Sequence, residues 1–367
     1  MADLLSSDLD SVYKLRFRTL ILGEARMAQQ LSLLVDKRAK DLGPRRPAEQ
    51  TREQVKRLDL DEQTRERILP LCRLGPGQIW EDPVSGHRIG VLDATNLDDV
   101  ARMMGDERAP LMVHDPPYNV VVGNANTRNL SRTSLEAYLD FSRKWVSNAL
   151  IFMEPDAHFY VWMGTDYKDG FQPLPDFMIM MRDFEQLKAR SFITMRNQRG
   201  YGTQKNWMWV RQELLYYLQG NPDFSVVYTD IPKAVKGYYK RVNGRLRENL
   251  ERSKSSTIRP GNVWFDIQQV FYRMEENVSG CYAQKPIKAI ERIIASSSTE
   301  GDLVADFFAH SGTTLIAGER LGRRVYTSDI DPIFAEITIR RLENYRETGR
   351  TGWQWRTPFP EVQEKTG

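Results

Sequence analysis

The chain has 367 residues, of which 41% are hydrophobic and 28% are charged, and its formal net charge is +3. These values are typical of a globular protein, and the length predicts two or three domains around a large core. They exclude a chain-wide excess of positive charge as the basis of nucleic-acid binding, so such affinity has to come from local patches.

No apolar run of the sequence approaches the roughly 18 residues that span a bilayer, so no membrane partner is expected. The start of the chain, Met1-Ala2-Asp3, is acidic and lacks the apolar segment of a signal peptide. Cys72 and Cys281 lie far apart and without the spacing of metal ligands. We therefore expect a cytoplasmic protein with free thiols and no metal site.

The first 76 residues are highly charged and have the pattern of helices. Apolar residues recur at helical spacing between residues 10 and 40, namely Leu15, Phe17, Leu20, Ile21, Met27, Leu31 and Leu34. A second helical stretch, residues 49–71, follows the break at Gly43-Pro44. The sequence thus predicts a helical N-terminal extension over residues 1–76, an α/β domain over residues 77–350 and a loosely packed polar tail over residues 351–367.

Predicted strands and helices alternate through the α/β domain. Strands are expected at residues 88–92, 109–114, 158–163, 190–196, 213–218, 303–308 and 325–329. Helices are expected at residues 96–104, 133–150, 285–296, 315–321 and 333–345. This alternation is typical of an α/β fold with a largely parallel sheet.

The tetrapeptide Asp115-Pro116-Pro117-Tyr118 follows the predicted strand 109–114. Two prolines prevent both helix and ladder pairing, so the chain has to leave the sheet as a stiff loop. The loop carries a carboxylate, a carbonyl and an aromatic ring at the carboxyl end of a strand, where ligands bind in open α/β sheets. Taken alone, the four residues fit an ordinary exit from a strand equally well.

Residues 231–260 form a basic stretch with nine Lys or Arg and only two acidic residues, Glu248 and Glu251. Tyr238-Tyr239 lies inside it. Basic residues interleaved with aromatic ones are typical of nucleic-acid-binding surfaces, although a solvated surface helix has a similar composition. The residues that we expect to contact nucleic acid are Lys233, Lys236, Lys240, Arg241, Arg245 and Arg247.

Residues 303–329 have the order strand, turn of small residues, helix, strand and acid. This order is typical of a nucleoside-binding unit, in which Asp329 accepts hydrogen bonds from ribose hydroxyls. The turn is not G-x-G-x-x-G, which disfavours a dinucleotide. A βαβ unit without a ligand has the same layout, so this segment alone leaves both alternatives open.

Together, four motifs resemble those of the β-class amino-methyltransferases of DNA, over about residues 88–345. Residues 115–118 are the D-P-P-Y of the family. Residues 306–314, D-F-F-A-H-S-G-T-T, resemble its D-P-F-x-G-S-G-T-T, and residues 281–286, C-Y-A-Q-K-P, resemble its H-P-T-Q-K-P with Cys281 where histidine is usual. Residues 263–267, V-W-F-D-I, look like its V-W-x-I segment. The catalytic motif precedes the cofactor motif, which is the order of the β class. Protein glutamine methyltransferases carry N-P-P-Y after the cofactor loop, so the order argues against them.

The resemblance implies a Rossmann-like methyltransferase fold in the circularly permuted β-class order, with S-adenosylmethionine as cofactor and double-stranded DNA as partner. It implies catalysis by Asp115, Pro116, Pro117 and Tyr118. It implies cofactor contacts by Lys285, Asp306, Phe308, His310, Ser311, Gly312, Thr313, Thr314 and Asp329. It also makes residues 231–260 a target-recognition insertion, and it leaves open a homodimer and a cognate restriction nuclease.

The chemistry implied by the resemblance explains these residue types. The exocyclic amine of adenine or cytosine is a poor nucleophile, because its lone pair is delocalised into the ring. The carboxylate of Asp115 and the carbonyl of Pro116 would each accept an N–H, which favours a pyramidal nitrogen aimed at the methyl group. Tyr118 would stack on the base, which has to be flipped out of the duplex.

We expect site-specific methylation of adenine at N6, and cytosine N4 stays open because D-P-P-Y occurs in both groups. His310 stands where the family has glycine. Its backbone would need a positive φ, and its side chain could crowd the cofactor. A catalytically weak nucleic-acid-binding protein on the same fold is therefore an alternative, as is a methyltransferase for RNA or a small molecule.

Overall fold

A computed structural model of the chain describes Leu58 and residues 61–118, 133–164, 173–201, 207–233, 239–248, 255–270, 274–281, 283–354 and 356–362. These residues belong to a compact unit that spans Gln54–Gly367. Most of the predicted N-terminal extension lies outside the described residues, and so does Lys236. The predicted domain boundaries stay a prediction.

The described strands are β1 Ile79–Glu81, β2 Arg88–Val91, β3 Ala109–His114, β4 Met153–Met163, β5 Leu187–Tyr201, β6 Trp209–Gln219, β7 Tyr239–Val242, β8 Arg245–Glu248, β9 Val263–Trp264, β10 Leu303–Asp306 and β11 Arg324–Asp329. The described α-helices are α1 Glu62–Ile68, α2 Leu97–Met104, α3 Leu135–Ile151, α4 Pro173–Met180, α5 Ile287–Ser297, α6 Thr313–Arg320 and α7 Pro332–Thr348.

Nine of these described strands form one sheet in the order β1-β2-β11-β10-β3-β4-β6-β5-β9, and β7 pairs with β8 in a separate hairpin. The five strands from β2 to β4 in that order run parallel, whereas β6 is antiparallel to both β4 and β5. The expected α/β architecture is confirmed.

The centre of the sheet contains a topological switch point between β10 and β3. From β10 the chain passes through α6 to β11 on one side, and from β3 it passes through α3 to β4 on the other. Ligands of open α/β sheets bind outside the carboxyl ends of the strands at such a point. The tetrapeptide at Asp115 and the turn after Asp306 follow these two strands directly.

Both faces of the central strands are covered, which explains their almost continuous apolar sequence. Trp145, Val146 and Ala149 of α3 are buried in the cluster on one face of the sheet. Ile290 of α5 and Leu315 of α6 are buried in the cluster on the other face. The carboxyl ends of β3 and β10 are thereby held in a rigid frame.

Helix α1 and residues 351–362 pack together on α7. Ile68, Phe334 and Phe359 share one apolar cluster there, and Phe359 is fully buried. The guanidinium carbon of Arg340 lies 4.6 Å from the centroid of the Phe359 ring. The prediction of a loosely packed tail is therefore wrong for residues 356–362, because Phe359 is buried in this cluster and Arg340 donates to the Pro358 carbonyl and the Glu361 carboxylate.

Neither Cys72 nor Cys281 takes part in a disulfide, as expected. Among the described residues, no helix is long and apolar enough to cross a membrane. The same part of the chain contains no group of three His, Cys, Asp or Glu side chains arranged to hold a metal ion.

Candidate active site

A cavity at the switch point joins the two motifs, although they are separated by about 190 residues in the chain. Its lining comes from β3, β4, β10 and the loops around α5 and α6. The lining residues are Val113, His114, Asp115, Trp162, Lys285, Ile290, Asp306, Phe308, Ala309, His310, Ser311, Thr313 and Thr314. The predicted catalytic carboxylate and most of the predicted cofactor residues thus face one space.

The Asp115 carboxylate is held by two donors. Nζ of Lys285 lies 2.6 Å from Asp115 Oδ2, and the hydroxyl of Tyr118 donates to Asp115 Oδ1. Burial, followed by the nearby charge of Asp115, raises the pKa of the Tyr118 phenol well above 10, so the phenol stays neutral and donates. Of the two prolines between them, Pro116 is buried and Pro117 is exposed.

The ring of Tyr118 packs against Gly164 at the end of β4. A Cβ at Gly164 would lie only 2.7 Å from a ring carbon of Tyr118, so this position requires glycine. Tyr118 is therefore folded back onto the sheet in this arrangement.

The turn after β10 is built around Asp306. The hydroxyl of Thr314 and the backbone N–H of Phe308 donate to its carboxylate at 2.6 and 3.0 Å. Gly312 has φ +71° and lies so close to Thr338 that a Cβ would clash at 2.9 Å. Burial raises the pKa of Asp306 to about 7. The turn thus carries a buried acid directly before the N-terminus of α6.

Asp329, at the end of β11, lies behind the same turn. Its carboxylate accepts the backbone N–H of His310 at 2.9 Å and that of Asp331 at 3.0 Å. Burial raises the pKa of Asp329 to about 7, although these two N–H groups oppose the shift. Ile330, the next residue, keeps 65% of its side chain exposed and offers an apolar surface that sequence reasoning missed.

His310 adopts φ 44°, as predicted for a residue at a glycine position of this turn. Its imidazole lies 4.7 Å from the ring centroid of Phe334 on α7. The side chain lines the cavity and packs on the helix behind it, which accounts for how histidine is accommodated there.

His114 connects the two strand ends and was not predicted to belong to the site. Its Nδ1 accepts the backbone N–H of Phe307 at 3.2 Å, and its ring lies 5.2 Å from that of Trp145. Complete burial lowers the pKa of His114 to about 3, so the imidazole is neutral. A histidine at the end of an apolar strand, directly before Asp115, was the available signal.

Arg341 of α7 is fully buried beneath the turn between β10 and α6, which is the predicted cofactor turn, and it was also missed. Its guanidinium donates to the Ser311 carbonyl at 2.7 Å, the Thr313 hydroxyl at 3.2 Å, and the Thr351 and Glu276 carbonyls at 2.7 and 3.2 Å. The signal was an arginine at a position where the helical periodicity of α7 predicts a buried side chain. This one side chain therefore ties three segments to the turn.

The structure describes the two ends of the basic insertion, residues 231–233 and 255–260, and the hairpin β7–β8 between them. The backbone N–H of Lys233 donates to the Ser256 carbonyl, and Lys233 Nζ donates to the Ser255 carbonyl at 2.6 Å, so this lysine helps to join the two ends. Strands β7 and β8 meet at Asn243-Gly244, both with positive φ, as in the tight turns of β-hairpins. Position 240 pairs with position 247, while Arg241 and Arg245 are exposed.

Comparisons with known proteins identify the family. The model of the N6_N4_Mtase family, described as DNA methylase, matches residues 109–340. The type II methyltransferase M2.DpnII of Streptococcus pneumoniae is 45% identical over 257 residues, which cover 67% of this chain and 86% of that protein. The type II methyltransferase M.HpaI of Haemophilus parainfluenzae is 26% identical over 253 residues, covering 69% of this chain and 74% of the relative.

The solved structure of the PvuII DNA methyltransferase, which is cytosine-N4-specific, is similar in fold. It matches with a TM-score of 0.50 at 15% identity, over 71% of this chain and 89% of the other. The chain therefore belongs to the DNA methylase family whose members use S-adenosylmethionine to methylate adenine at N6 or cytosine at N4.

Proposed function

We propose that the protein transfers the methyl group of S-adenosylmethionine to N6 of adenine at a specific site in double-stranded DNA. The observation that carries the proposal is the shared cavity in which Asp115, after β3, faces the turn that follows Asp306, after β10. This cavity brings an acceptor for an amine next to a nucleoside-type site at the switch point of the sheet.

The groups around the turn fit S-adenosylmethionine, which supplies an electrophilic methyl group when it is bound. The carboxylates of Asp306 and Asp329 would accept hydrogen bonds from the ribose and the amino group, and Phe308 and Ile330 offer apolar surface to the adenine ring. The Ser311 hydroxyl and the backbone N–H groups that begin α6 suit a carboxylate, whereas the hydroxyls of Thr313 and Thr314 shape the turn by donating to the Lys285 carbonyl and to Asp306.

On the side of the target base, Asp115 and Pro116 act as acceptors for the two amine hydrogens. Proline suits this role at position 116, because its ring fixes φ and it has no backbone N–H of its own. Two fixed acceptors orient the nitrogen lone pair, and most of the acceleration comes from this preorganisation. Tyr118 turns from Asp115 to stack on the base, which leaves the duplex at a cost of a few kcal/mol.

Adenine is preferred over cytosine because the first residue of the tetrapeptide is Asp115. Serine at this position is typical of cytosine-N4 enzymes, whereas aspartate occurs in both groups. The packing of His310 on Phe334 supports an active enzyme over a disabled relative, because the imidazole then has a place outside the reacting centre.

The test of the proposal is transfer of an isotope-labelled methyl group from S-adenosylmethionine to nucleic acid. We expect label in duplex DNA and none in a duplex RNA of the same sequence. Sequencing of the treated DNA should place every modified base in one short recognition sequence. Label in RNA alone, or label spread without sequence preference, would contradict the proposal.

The affinity for S-adenosylmethionine is expected to rise from pH 6 to pH 8. Asp306 and Asp329 each have a pKa of about 7 in the free protein, so below that pH they hold a proton and are poorer acceptors for the ribose. Each carboxylate that must ionise contributes up to about tenfold per pH unit below its pKa. Calorimetry over this range measures the slope of the logarithm of the affinity against pH.

In the variant Asp329→Asn that slope should become shallower, because one titrating group is removed. A slope equal to that of the parent would exclude Asp329 from cofactor binding. The same raised pKa values imply that, without cofactor, these two groups make the protein less stable as pH rises from about 4 to 7. The folded protein then retains protons that the unfolded chain has already lost.

The hairpin β7–β8 is expected to contact DNA phosphates, as part of the target-recognition insertion. Opposite positions 240 and 247 both carry cations, an arrangement that is unfavourable in an isolated hairpin and favourable against a polyanion. A two-stranded ribbon also fits the major groove. We therefore expect steep salt dependence, with a log–log slope of about −0.9 per phosphate contacted.

Replacing Lys240 and Arg247 together by alanine should reduce the magnitude of this slope by up to about 2. The matched control is the pair Lys144 and Lys188, which lie on α3 and β5, outside the insertion. DNA-binding titrations at several salt concentrations measure the salt slope of the hairpin variant and that of the control. If the hairpin variant keeps the slope of the parent, the hairpin is only a solvated surface.

A further inference from the structure

The ammonium of Lys285 lies between the two motifs of the active site. Lys285 Nζ is 2.6 Å from Asp115 Oδ2 and 2.8 Å from the hydroxyl of Tyr118. It also lies 5.3 Å from the ring centroid of Trp162, and only 6% of the side chain is exposed. The resemblance implied that Lys285 contacts the cofactor, whereas the structure places its charge on the acceptor of the target amine.

The backbone around Lys285 is fixed from behind. The hydroxyl of Thr313 donates to the Lys285 carbonyl at 3.3 Å, which joins it to the cofactor turn. The amide of Gln284 donates to the Glu276 carbonyl at 2.8 Å, and the Glu276 carboxylate accepts the Ile287 N–H at 2.7 Å. These three partners, Thr313, Gln284 and Glu276, are all buried. The fold therefore sets where the ammonium can reach.

Each oxygen of the Asp115 carboxylate has its own donor. Tyr118 holds Oδ1, and it is a neighbour in the same loop that has to turn away if it is to stack on a base. Lys285 holds Oδ2 from a different segment, which is anchored to the rest of the fold. When Tyr118 leaves, Oδ1 becomes free for the target amine while Oδ2 is still held.

We propose that Lys285 is a positioning residue for methyl transfer. It fixes the plane of the Asp115 carboxylate through Oδ2, so that Oδ1 faces the target amine once Tyr118 has moved to the base. The proposal rests on the proposed function for the identity of that amine. It assigns the charge of Lys285 to the target-base side of the cavity and not to the binding of the cofactor.

Replacing Lys285 by methionine is expected to lower kcat about 10²-fold, because a carboxylate free to rotate no longer holds the amine in line. The dissociation constant for S-adenosylmethionine, measured by calorimetry, should stay within about twofold of the parent. The matched control is Lys288→Met, one turn further along, where the ammonium lies near Asp230 outside the cavity. This control should keep the kcat of the parent.

Two results would overturn the proposal. One is an unchanged kcat in Lys285→Met. The other is weakened binding of S-adenosylmethionine with kcat restored at saturating cofactor, which would make Lys285 a cofactor ligand.

A double-mutant cycle of thermal midpoints tests the pairing without any reference to activity. Lys285→Met should lower Tm in the parent and have little effect in Asp115→Asn, because the partner charge is already gone. Equal shifts in both backgrounds would show that the two side chains do not interact and would overturn the proposal. If the parent methylates no nucleic acid at all, the proposed function fails, and this cycle still decides the pairing of Lys285 with Asp115.

Discussion

Replacement of Asp115 by alanine is expected to abolish methyl transfer, with a loss in kcat of about 10²-fold or more. The carboxylate is the proposed acceptor for the target amine, and removing one such group from a preorganised site typically costs this much. Binding of S-adenosylmethionine should change little, because Asp115 follows β3, whereas the turn proposed to hold the cofactor follows the neighbouring strand β10. Single-turnover methylation with saturating cofactor measures the effect.

The control is Asp140→Ala, which removes an exposed carboxylate of α3 that pairs only with Arg143 among the described residues. Its turnover should equal that of the parent. If Asp115→Ala retains near-normal turnover while its cofactor binding is intact, the assignment of the tetrapeptide to catalysis is wrong.

Replacement of Arg341 by methionine is expected to have the largest effect on stability, a loss of at least about 2 kcal/mol. The change leaves the buried carbonyls of Ser311 and Thr351 without the donor that Arg341 supplies, and each unsatisfied group costs roughly 1–3 kcal/mol. Urea unfolding of the parent and the variant, compared at the midpoint, gives the difference.

The control for Arg341 is Arg320→Met, which removes an arginine whose guanidinium is paired with Glu291 at the surface. An exposed pair of this kind contributes about 0–1 kcal/mol. A loss below about 1 kcal/mol in Arg341→Met would show that the network under the turn is not a structural support. The fraction of Arg341→Met that remains folded should also bind S-adenosylmethionine more weakly, because the turn has lost the hydrogen bonds from Arg341.

The meeting of the two motifs could be predicted because it depends on topology. Strands 109–114 and 303–308 were recognisable as apolar runs, and parallel strands put their carboxyl ends at one edge of a sheet. The turn at His310 was predictable as well, since a glycine position in such a turn implies a positive φ, and φ is 44°.

The contacts that complete the site could not be predicted, because they depend on side-chain reach across long sequence separations. Lys285 is 170 residues from Asp115, and its motif position indicated the cofactor instead. The helical spacing of α7 places Arg341 on the buried face with Phe334 and Ile337. Which carbonyls its guanidinium meets depends on how the segment at Glu276 and residue 351 pack over the helix, and no pattern within α7 gives that.

Some observed boundaries of helices and strands differ from the predicted ones for local reasons. Helix α5 was predicted from Lys285 but begins at Ile287, because the residue before a proline is disfavoured in the helical region and Pro286 itself takes the cap position. The basic insertion contains a hairpin whose signal, Asn243-Gly244, was present in the sequence. The stretch was interpreted from its basic composition, and the turn signal was not used.

The proposed methylation of adenine at N6 in DNA is tested most directly on the reaction product. Duplex DNA treated with the purified protein and S-adenosylmethionine can be digested to nucleosides and analysed by mass spectrometry. We expect N6-methyldeoxyadenosine, which should disappear in Asp115→Ala and persist in Asp140→Ala. N4-methyldeoxycytidine in its place would contradict the choice of base, and the absence of any methylated nucleoside would contradict the assignment of an active DNA methyltransferase.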